Sequence, residues 1–541
     1  MAGVASWPHA AGYFHTPPGS VFVWSADPGD NNSYFAKMRT GYRGEWLTTN
    51  LYSSEPHPRV LLFPFHVILG RLAALYRDLL KWLTGQAPPA YVTMPAIYQA
   101  TRFTLTAVLM AMVYWLAGMA TTRPARRLWI VALTAFAAGS WAGGLNTEGS
   151  VLLSCARFPH FTFSLALYVL ACGAFVAAMK HPERRRRCAV WGAAAGLGLG
   201  WTHPFDVPAL GAIGAAALLW RWAQTRRFPP ALFAGLVSFW AFAAFPVLYM
   251  GWAKWRSPVL AAIDAQNSLV WAHWWEPAWM LREYLILAAA GTPFLWIRRR
   301  DPAAMFVIVW LAVGLCATMA PSGFQRRVIE GLPIALAFGA SALVEGGLYR
   351  PMIHRWKRNP DESRLPPAGA YRPDARRRRL LRHGCFLFVL LVLSPRTHWL
   401  LQSESAEFTA GAALCYIDKE NVDAMRWLEN RSDWREVVWA QDRLGNAIPF
   451  LSGNRVFIGH NRETVDYLEK RALTQRLFSG DMGTGEFLDI VRRYGIHYLY
   501  VSRSKRGGRS GAPSVSLAIR ELLGKPAYAN GGVEIFRLEV P

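Results

Sequence analysis

The stretch Cys188–Ala223, CAVWGAAAGLGLGWTHPFDVPALGAIGAAALLWRWA, decides how the rest of the chain is read. It is apolar except for Trp201-Thr-His-Pro-Phe-Asp206 at its middle; Arg184–Arg187 precede it and Arg221, Arg226 and Arg227 close it. A helix needs about 20 residues to cross about 30 Å of hydrocarbon, so this run is too long for one span and short for two. Two short helices meeting at a corner resolve the conflict, because Pro204 cannot continue a helix and the polar residues beside it reach water at the turn. Both arginine clusters then lie on one side of the membrane and the corner lies on the other. Gly192, Gly196 and Gly200 recur every fourth residue, a spacing that favours close helix contact rather than catalysis.

Working outward, about ten apolar runs have spanning character. They centre on Leu109, Ala135, Leu170, Ala195, Ile213, Trp240, Ala290, Trp310, Ala337 and Val389. The basic loops alternate with them: Arg123/Arg126/Arg127, Lys180 with Arg184–Arg187, Arg221/Arg226/Arg227, Arg298–Arg300, and the stretch from Arg350 to Arg382 all fall on one side. That side is cytoplasmic by the positive-inside rule, which puts both chain ends outside. Val60–Leu83 contains Pro64, Arg71, Arg77, Asp78 and Lys81. Counting it as a span would expel the Arg123 loop, so an amphipathic helix at the outer interface fits better.

Composition agrees. The chain has 541 residues, 53% of them hydrophobic, which together with the long apolar runs excludes an ordinary soluble protein. The net charge of +24 is dispersed in short clusters between apolar segments, so it marks cytoplasmic loops and not a nucleic-acid surface. The six cysteines have no metal or CxxC spacing and are expected as small buried hydrophobes. Met1–Trp24 has no basic start or apolar core and contains Pro8, Pro17 and Pro18, so no signal peptide is expected. Since this segment leads into an outer loop, either the tail crosses unaided or a first spanning helix has been lost through an internal start codon, and the second is favoured.

The fold expected is mainly α: a polytopic transmembrane helical bundle with outer-face loops and a C-terminal soluble α/β domain. The divisions are an outer loop with interfacial helices over 1–98, a transmembrane domain over 99–401 and a non-cytoplasmic α/β domain over 402–541. In the last, Val437–Ala440, Arg455–Gly459, Tyr498–Val501 and Val533–Leu538 have strand character, and Val422–Glu429 and Thr464–Phe478 have helical periodicity.

Polar residues at the outer face carry the functional information. The first loop reads Asp27-Pro-Gly-Asp30-Asn-Asn-Ser-Tyr34, then Gly41-Tyr-Arg-Gly-Glu45-Trp46, then Glu55-Pro-His57-Pro-Arg59. A carboxylate near the bilayer surface can act as general base toward a hydroxyl attacking a sugar carbon. Asp30 also precedes a plausible helix start, so capping competes with catalysis as its role. Arg326 and Arg327 lie outside against the charge bias and match a phosphate with bidentate hydrogen bonds, although headgroup anchoring would explain them equally. Asn146-Thr-Glu148, Arg157-Phe-Pro-His160, His203 and Asp206 stand at span ends, where ionisable groups are functional candidates or structural hydrogen-bonders. Walker, HExxH and GxSxG patterns are absent from the sequence, which argues against an ATPase or a common hydrolase.

The acidic outer loop, the Gly41-Tyr-Arg-Gly-Glu45-Trp46 stretch, the Glu55-Pro-His57-Pro segment, the many spans and a C-terminal outer domain together resemble the GT-C superfamily. These are polytopic glycosyltransferases that use polyprenyl-phosphate sugars. Leu451-Ser-Gly-Asn-Arg-Val-Phe-Ile-Gly-His460 likewise looks like the tail domain of bacterial members. The resemblance covers residues 27–330 in architecture, with short motifs in the first loop. It implies a plasma-membrane transferase that moves a sugar from a polyprenyl-phosphate donor to an acceptor at the outer face, with inversion. Asp30 matches the family's catalytic acid position, and Asp27 is its rival. Arg326 and Arg327 would hold the donor phosphate, with Glu55, His57, Glu148, Arg157, His160, His203 and Asp206 as substrate-site candidates. The partners implied are the lipid-linked donor and membrane lipid, with no nucleic acid. No cofactor is certain; a divalent metal on Asp27, Asp30 and Glu55 is a candidate. A secondary transporter or a non-catalytic envelope scaffold is the alternative.

Overall fold

A computed structural model of the chain describes residues 1–23, 27–137, 147–349, 374–409, 415–503 and 515–539. It divides into two compact units: Met1–Ala5, Arg102–Val247 and Leu269–Gln402 form one, and Ser6–Thr101, Leu248–Ser268 and Ser403–Pro541 the other.

The first unit is built of helices. Every expected span centre falls inside one, from Leu109 in Ala90–Ala120 to Val389 in Asp374–Leu393. Among the described residues, five stretches are long and apolar enough to cross a membrane: Ala90–Ala120, Pro159–Lys180, Pro230–Arg256, Pro302–Met319 and Arg327–Tyr349. The protein is therefore an integral membrane protein. The remaining expected spans are shorter or more charged. Pro124–Phe136 has 13 residues and Arg282–Ile297 has 16, which at 1.5 Å per residue falls short of the hydrocarbon thickness. Burial orders the five. Pro159–Lys180 and Arg327–Tyr349 are 83% and 94% buried over their apolar windows and are central; Ala90–Ala120, at 28%, leaves most of its apolar surface for lipid.

The corner at Pro204 forms as expected, between helices Arg185–Thr202 and Asp206–Thr225. The glycine ladder also has its contact. A Cβ on Gly192 would lie 2.4 Å from the Gly235 carbonyl oxygen, and one on Gly196 would lie 2.1 Å from that of Phe239. Helix Pro230–Arg256 thus packs directly on the backbone of Arg185–Thr202. Gly196→Ala is expected to force the two helices apart at a cost of about 1–3 kcal/mol, seen as a lower melting temperature in detergent. Gly251→Ala, where nothing lies within 4 Å, is the control and should leave it unchanged.

The second unit carries the strands β1 Ser20–Phe22, β2 Tyr416–Asp418, β3 Val437–Trp439, β4 Arg455–Val456, β5 Ile496–Ser502, β6 Tyr528–Ala529 and β7 Val533–Arg537. Five form one sheet in the order β4-β3-β5-β7-β6; β3 pairs in parallel with β4 and β5, and β7 is antiparallel to β5 and β6. Alternate residues feed opposite cores, as the two-residue strand period requires. Val438, Tyr498, Tyr500 and Ile535 enter one; Val437, Trp439, Leu499, Val501 and Phe536 enter the other.

The first of these cores also contains Phe35, Ala36 and Met38 of helix Pro28–Tyr42. The N-terminal segment is thus a layer of the α/β unit. The pairing of β1 with β2, in register Ser20↔Asp418, joins the same two regions. Gly41 and Gly70 lock Pro28–Tyr42 onto helix Pro64–Thr84, where a Cβ on Gly41 would lie 1.8 Å from the Val67 carbonyl oxygen. The other face of Pro64–Thr84 presents Ile68, Leu72, Leu75, Leu79 and Trp82 outward, with Trp82 80% exposed. This i, i+4, i+7 ridge is the surface an interfacial helix lays on lipid.

Candidate functional sites in the two units

In the second unit, Asp27 and not Asp30 caps helix Pro28–Tyr42. Its carboxylate accepts the Asp30 backbone N–H at 3.5 Å, and Pro28 follows at the first helical position, where its missing N–H costs nothing. Asp30 stands in the first turn, at the positive end of the helix. His460 Nε2 donates to its Oδ1 at 2.9 Å. The His460 Nδ1 accepts the Arg462 backbone N–H at 3.3 Å, so the hydrogen-bond pattern assigns the imidazole proton to Nε2. His460 is buried while the Asp30 side chain is 48% exposed. The second carboxylate oxygen of Asp30 makes no hydrogen bond among the described residues.

Burial would raise the Asp30 pKa. The His460 hydrogen bond and the nearby charges of Arg462 and Lys37 outweigh it and hold the carboxyl below its usual range. The segment that delivers His460 is itself fixed. Lys37 Nζ pairs with Glu463 at 2.6 Å, Ser33 donates to the same carboxylate at 2.8 Å, and Asn50 donates to the Glu463 carbonyl at 2.8 Å.

Glu55 and His57 lie in a braced loop of the same unit. Glu55 pairs with the fully buried Lys470 at 2.5 Å and accepts from Ser53. His57 Nδ1 donates to the Glu55 carbonyl at 2.8 Å, and its Nε2 accepts the Asn50 backbone N–H at 3.0 Å. Both ring nitrogens are occupied, and burial lowers the His57 pKa so that the neutral ring is favoured.

In the first unit, Glu148 occupies the short turn Thr147–Gly149, and Arg157 ends helix Val151–Arg157, reaching the Thr147 hydroxyl at 3.3 Å. Asn146 lies outside the described residues. His160 opens helix Pro159–Lys180, its ring centroid 6.3 Å from that of His203. At the Pro204 corner, His203 Nδ1 faces two carboxylates, Glu330 at 2.6 Å and Asp206 at 3.2 Å, and all three residues are buried. Ser164 donates to the other Glu330 oxygen at 2.7 Å. Arg327 lies 4.6 Å over the Phe205 ring and makes no ion pair among the described residues; Arg326 lies over Trp271 at 5.6 Å. Burial raises the Glu148 pKa against the charges of Arg327 and His203. The first unit therefore brings together Glu148, His160, His203, Asp206 and Arg327, with Glu330 at the centre.

His460 and Glu330 are the residues that sequence reasoning left without a role. His460 ends the quoted segment Leu451–His460, and Glu330 stands three residues after Arg327 at the entrance to an apolar run, where an unpaired carboxylate would be costly.

Among the described residues, the acids of the second unit are not gathered as a metal site, whereas the first unit holds a buried group of the kind that could bind an ion. Asp27 serves its helix and Glu55 is neutralised by Lys470, which leaves Asp30 alone. His203, Asp206 and Glu330 offer three donors within 4.8 Å of one another. Two donors on a tetrahedral zinc ion at about 2.0 Å would stand about 3.3 Å apart, whereas His203 and Glu330 meet at 2.6 Å. Holding such an ion would require these two side chains to move apart.

None of the protein-family models and no curated protein sequence matches the chain. Solved structures do. The archaeal oligosaccharyltransferase AglB from Archaeoglobus fulgidus, in complex with an inhibitory peptide and a dolichol-phosphate, superposes with a TM-score of 0.52 at 13% identity, over 92% of this chain and 69% of that one. The Archaeoglobus fulgidus oligosaccharyltransferase in complex with zinc and sulfate gives 0.50 at 12% identity, over 92% and 68%. ArnT from Cupriavidus metallidurans, bound to undecaprenyl phosphate, gives 0.52 at 12% identity and covers 99% of this chain and 97% of its own. At these identities the likeness is one of fold, and it spans both units: this chain has the GT-C fold.

Proposed function

We propose that the protein is a plasma-membrane glycosyltransferase that moves a sugar from a polyprenyl phosphate to an acceptor on the non-cytoplasmic side, with inversion. The observation that carries this reading is Asp30: an ionised, half-exposed carboxylate, with one oxygen fixed by a buried histidine and the other open. It stands on a fold shared with proteins bound to dolichol-phosphate and undecaprenyl phosphate.

In the proposed reaction the acceptor oxygen attacks the anomeric carbon and gives its proton to the open oxygen of Asp30. The bond from the anomeric carbon to the phosphate oxygen breaks, and polyprenyl phosphate leaves with the electron pair. A carboxylate with a depressed pKa is a weak base. It suffices here because the acceptor proton becomes strongly acidic as its oxygen bonds to carbon. Arg326 and Arg327 bind the donor phosphate, and Glu148, Arg157 and His203 shape the sugar site. Arg327→Ala should raise the KM for donor about 10–100-fold, as loss of a charged hydrogen bond worth about 1.5–3 kcal/mol implies. Steady-state kinetics with purified protein in lipid would check it; an unchanged KM would remove Arg327 from the donor site.

The buried His203–Asp206–Glu330 group among helices favours one second reading, a transporter with a proton-binding site. Solute flux without release of polyprenyl phosphate would select that reading.

A further inference from the structure

A cavity of about 760 Å³ opens among the helices of the first unit at its arginine-rich end. Arg123, Arg126, Lys180, Arg184, Arg187 and Arg298 line it, against the carboxylates of Asp301 and Glu345. These carboxylates are already paired: Arg123 meets Glu345 at 2.8 Å, and Asp301 takes Arg298 at 2.9 Å and Lys180 at 3.2 Å. Among the described residues, six lining cations face two lining anions, which leaves a concentrated positive charge.

Two helix N-termini add to it. Pro124–Phe136 begins after Arg123 and Arg185–Thr202 after Arg184, and among the described residues neither has a side-chain cap on its first-turn N–H groups. Uncapped N-termini carry partial positive charge and present donors to anions. In the wall, Trp191 lies under the Arg187 guanidinium at 4.5 Å, and the lining residue Ile297 is 75% exposed, so the cavity borders a lipid-facing apolar surface.

We propose that this cavity binds a phosphate-bearing anion with at least two negative charges, carried on a lipid headgroup or on a soluble molecule. The volume is far larger than one phosphate needs. It suits two linked phosphates, and arginine forks match their oxygens. Basic pockets between spanning helices have this chemistry for anionic headgroups. The site is independent of the sugar-transfer chemistry and uses none of its residues.

The test compares the wild type with R184Q/R187Q, whose positions are exposed, so that the unliganded melting temperature should hold within a few degrees. Native mass spectrometry from detergent would follow adducts with cardiolipin and with phosphatidylcholine, and thermal shift would follow inorganic diphosphate. The expected result is a cardiolipin adduct at least 10-fold more abundant than that of phosphatidylcholine, reduced at least 5-fold in the variant; this supports a lipid source. A diphosphate-induced shift lost in the variant, without a cardiolipin preference, supports the site with a soluble ligand. Equal binding by both proteins, or no preference for either anion in the wild type, overturns the proposal.

Discussion

Asp30→Asn is expected to lower kcat by about 10²–10⁴-fold, the usual worth of a positioned general base, while donor binding and folding persist. The substitution keeps an oxygen for the His460 N–H and removes only the proton acceptor. The pH profile gives a second readout. Because His460, Arg462 and Lys37 outweigh burial, the folded pKa of Asp30 lies below its ordinary 3.8. The carboxylate thus stays ionised through the neutral range, and the acid limb set by Asp30 falls below the usual carboxylate value. His460→Ala removes the main lowering influence and leaves burial to act, so this limb should move upward. A purely structural His460 would change the amount of folded enzyme and leave the limb in place. The stability sign follows the same direction: stability from the depressed Asp30 pKa is present above the unfolded value and is lost as pH falls through the folded one.

The second large effect belongs to Glu330→Ala. It removes a buried carboxylate, leaves the His203 Nδ1 with Asp206 alone, and leaves Ser164 with only the Phe161 carbonyl at 2.9 Å as acceptor. Breaking a buried pair from one side costs about 3–5 kcal/mol, which should be measurable as a marked fall in melting temperature in detergent. Glu330→Gln keeps an oxygen toward Ser164 or His203 and should recover part of the loss. If Glu330→Ala melts like the wild type, the cluster does not hold the Pro204 corner.

The parts of the fold set by local physics were legible in the residues. The centre of each apolar run read as a span lies inside a helix, and the fourfold glycine spacing predicted the close approach that Gly192 and Gly196 make to helix Pro230–Arg256. In the α/β unit, Val437, Tyr498 and Val533 announced their strands through β-branched and aromatic runs. What local reading missed is long-range. β1 pairs with β2 across 398 residues, and His460 reaches Asp30 over 430. Neither partner carries a local signal of the other. Asp27 is instructive in another way. Its position before Pro28 is a recognisable cap signature, and it frees Asp30 from the role that competed with catalysis. Glu330 was hidden because it sits in the shadow of the Arg326–Arg327 pair, just before the apolar helix Leu332–Leu343.

Donor turnover tests the central claim most directly. Wild-type protein in lipid vesicles would be given a panel of polyprenyl-phosphate sugars with candidate acceptors, and the products followed by mass spectrometry and NMR. The expected result is release of free polyprenyl phosphate coupled to a glycoside of inverted anomeric configuration, lost in Asp30→Asn. Retained configuration would contradict direct displacement, and equal turnover in Asp30→Asn would contradict its proposed base. Solute flux without cleavage of any donor would contradict the transferase itself.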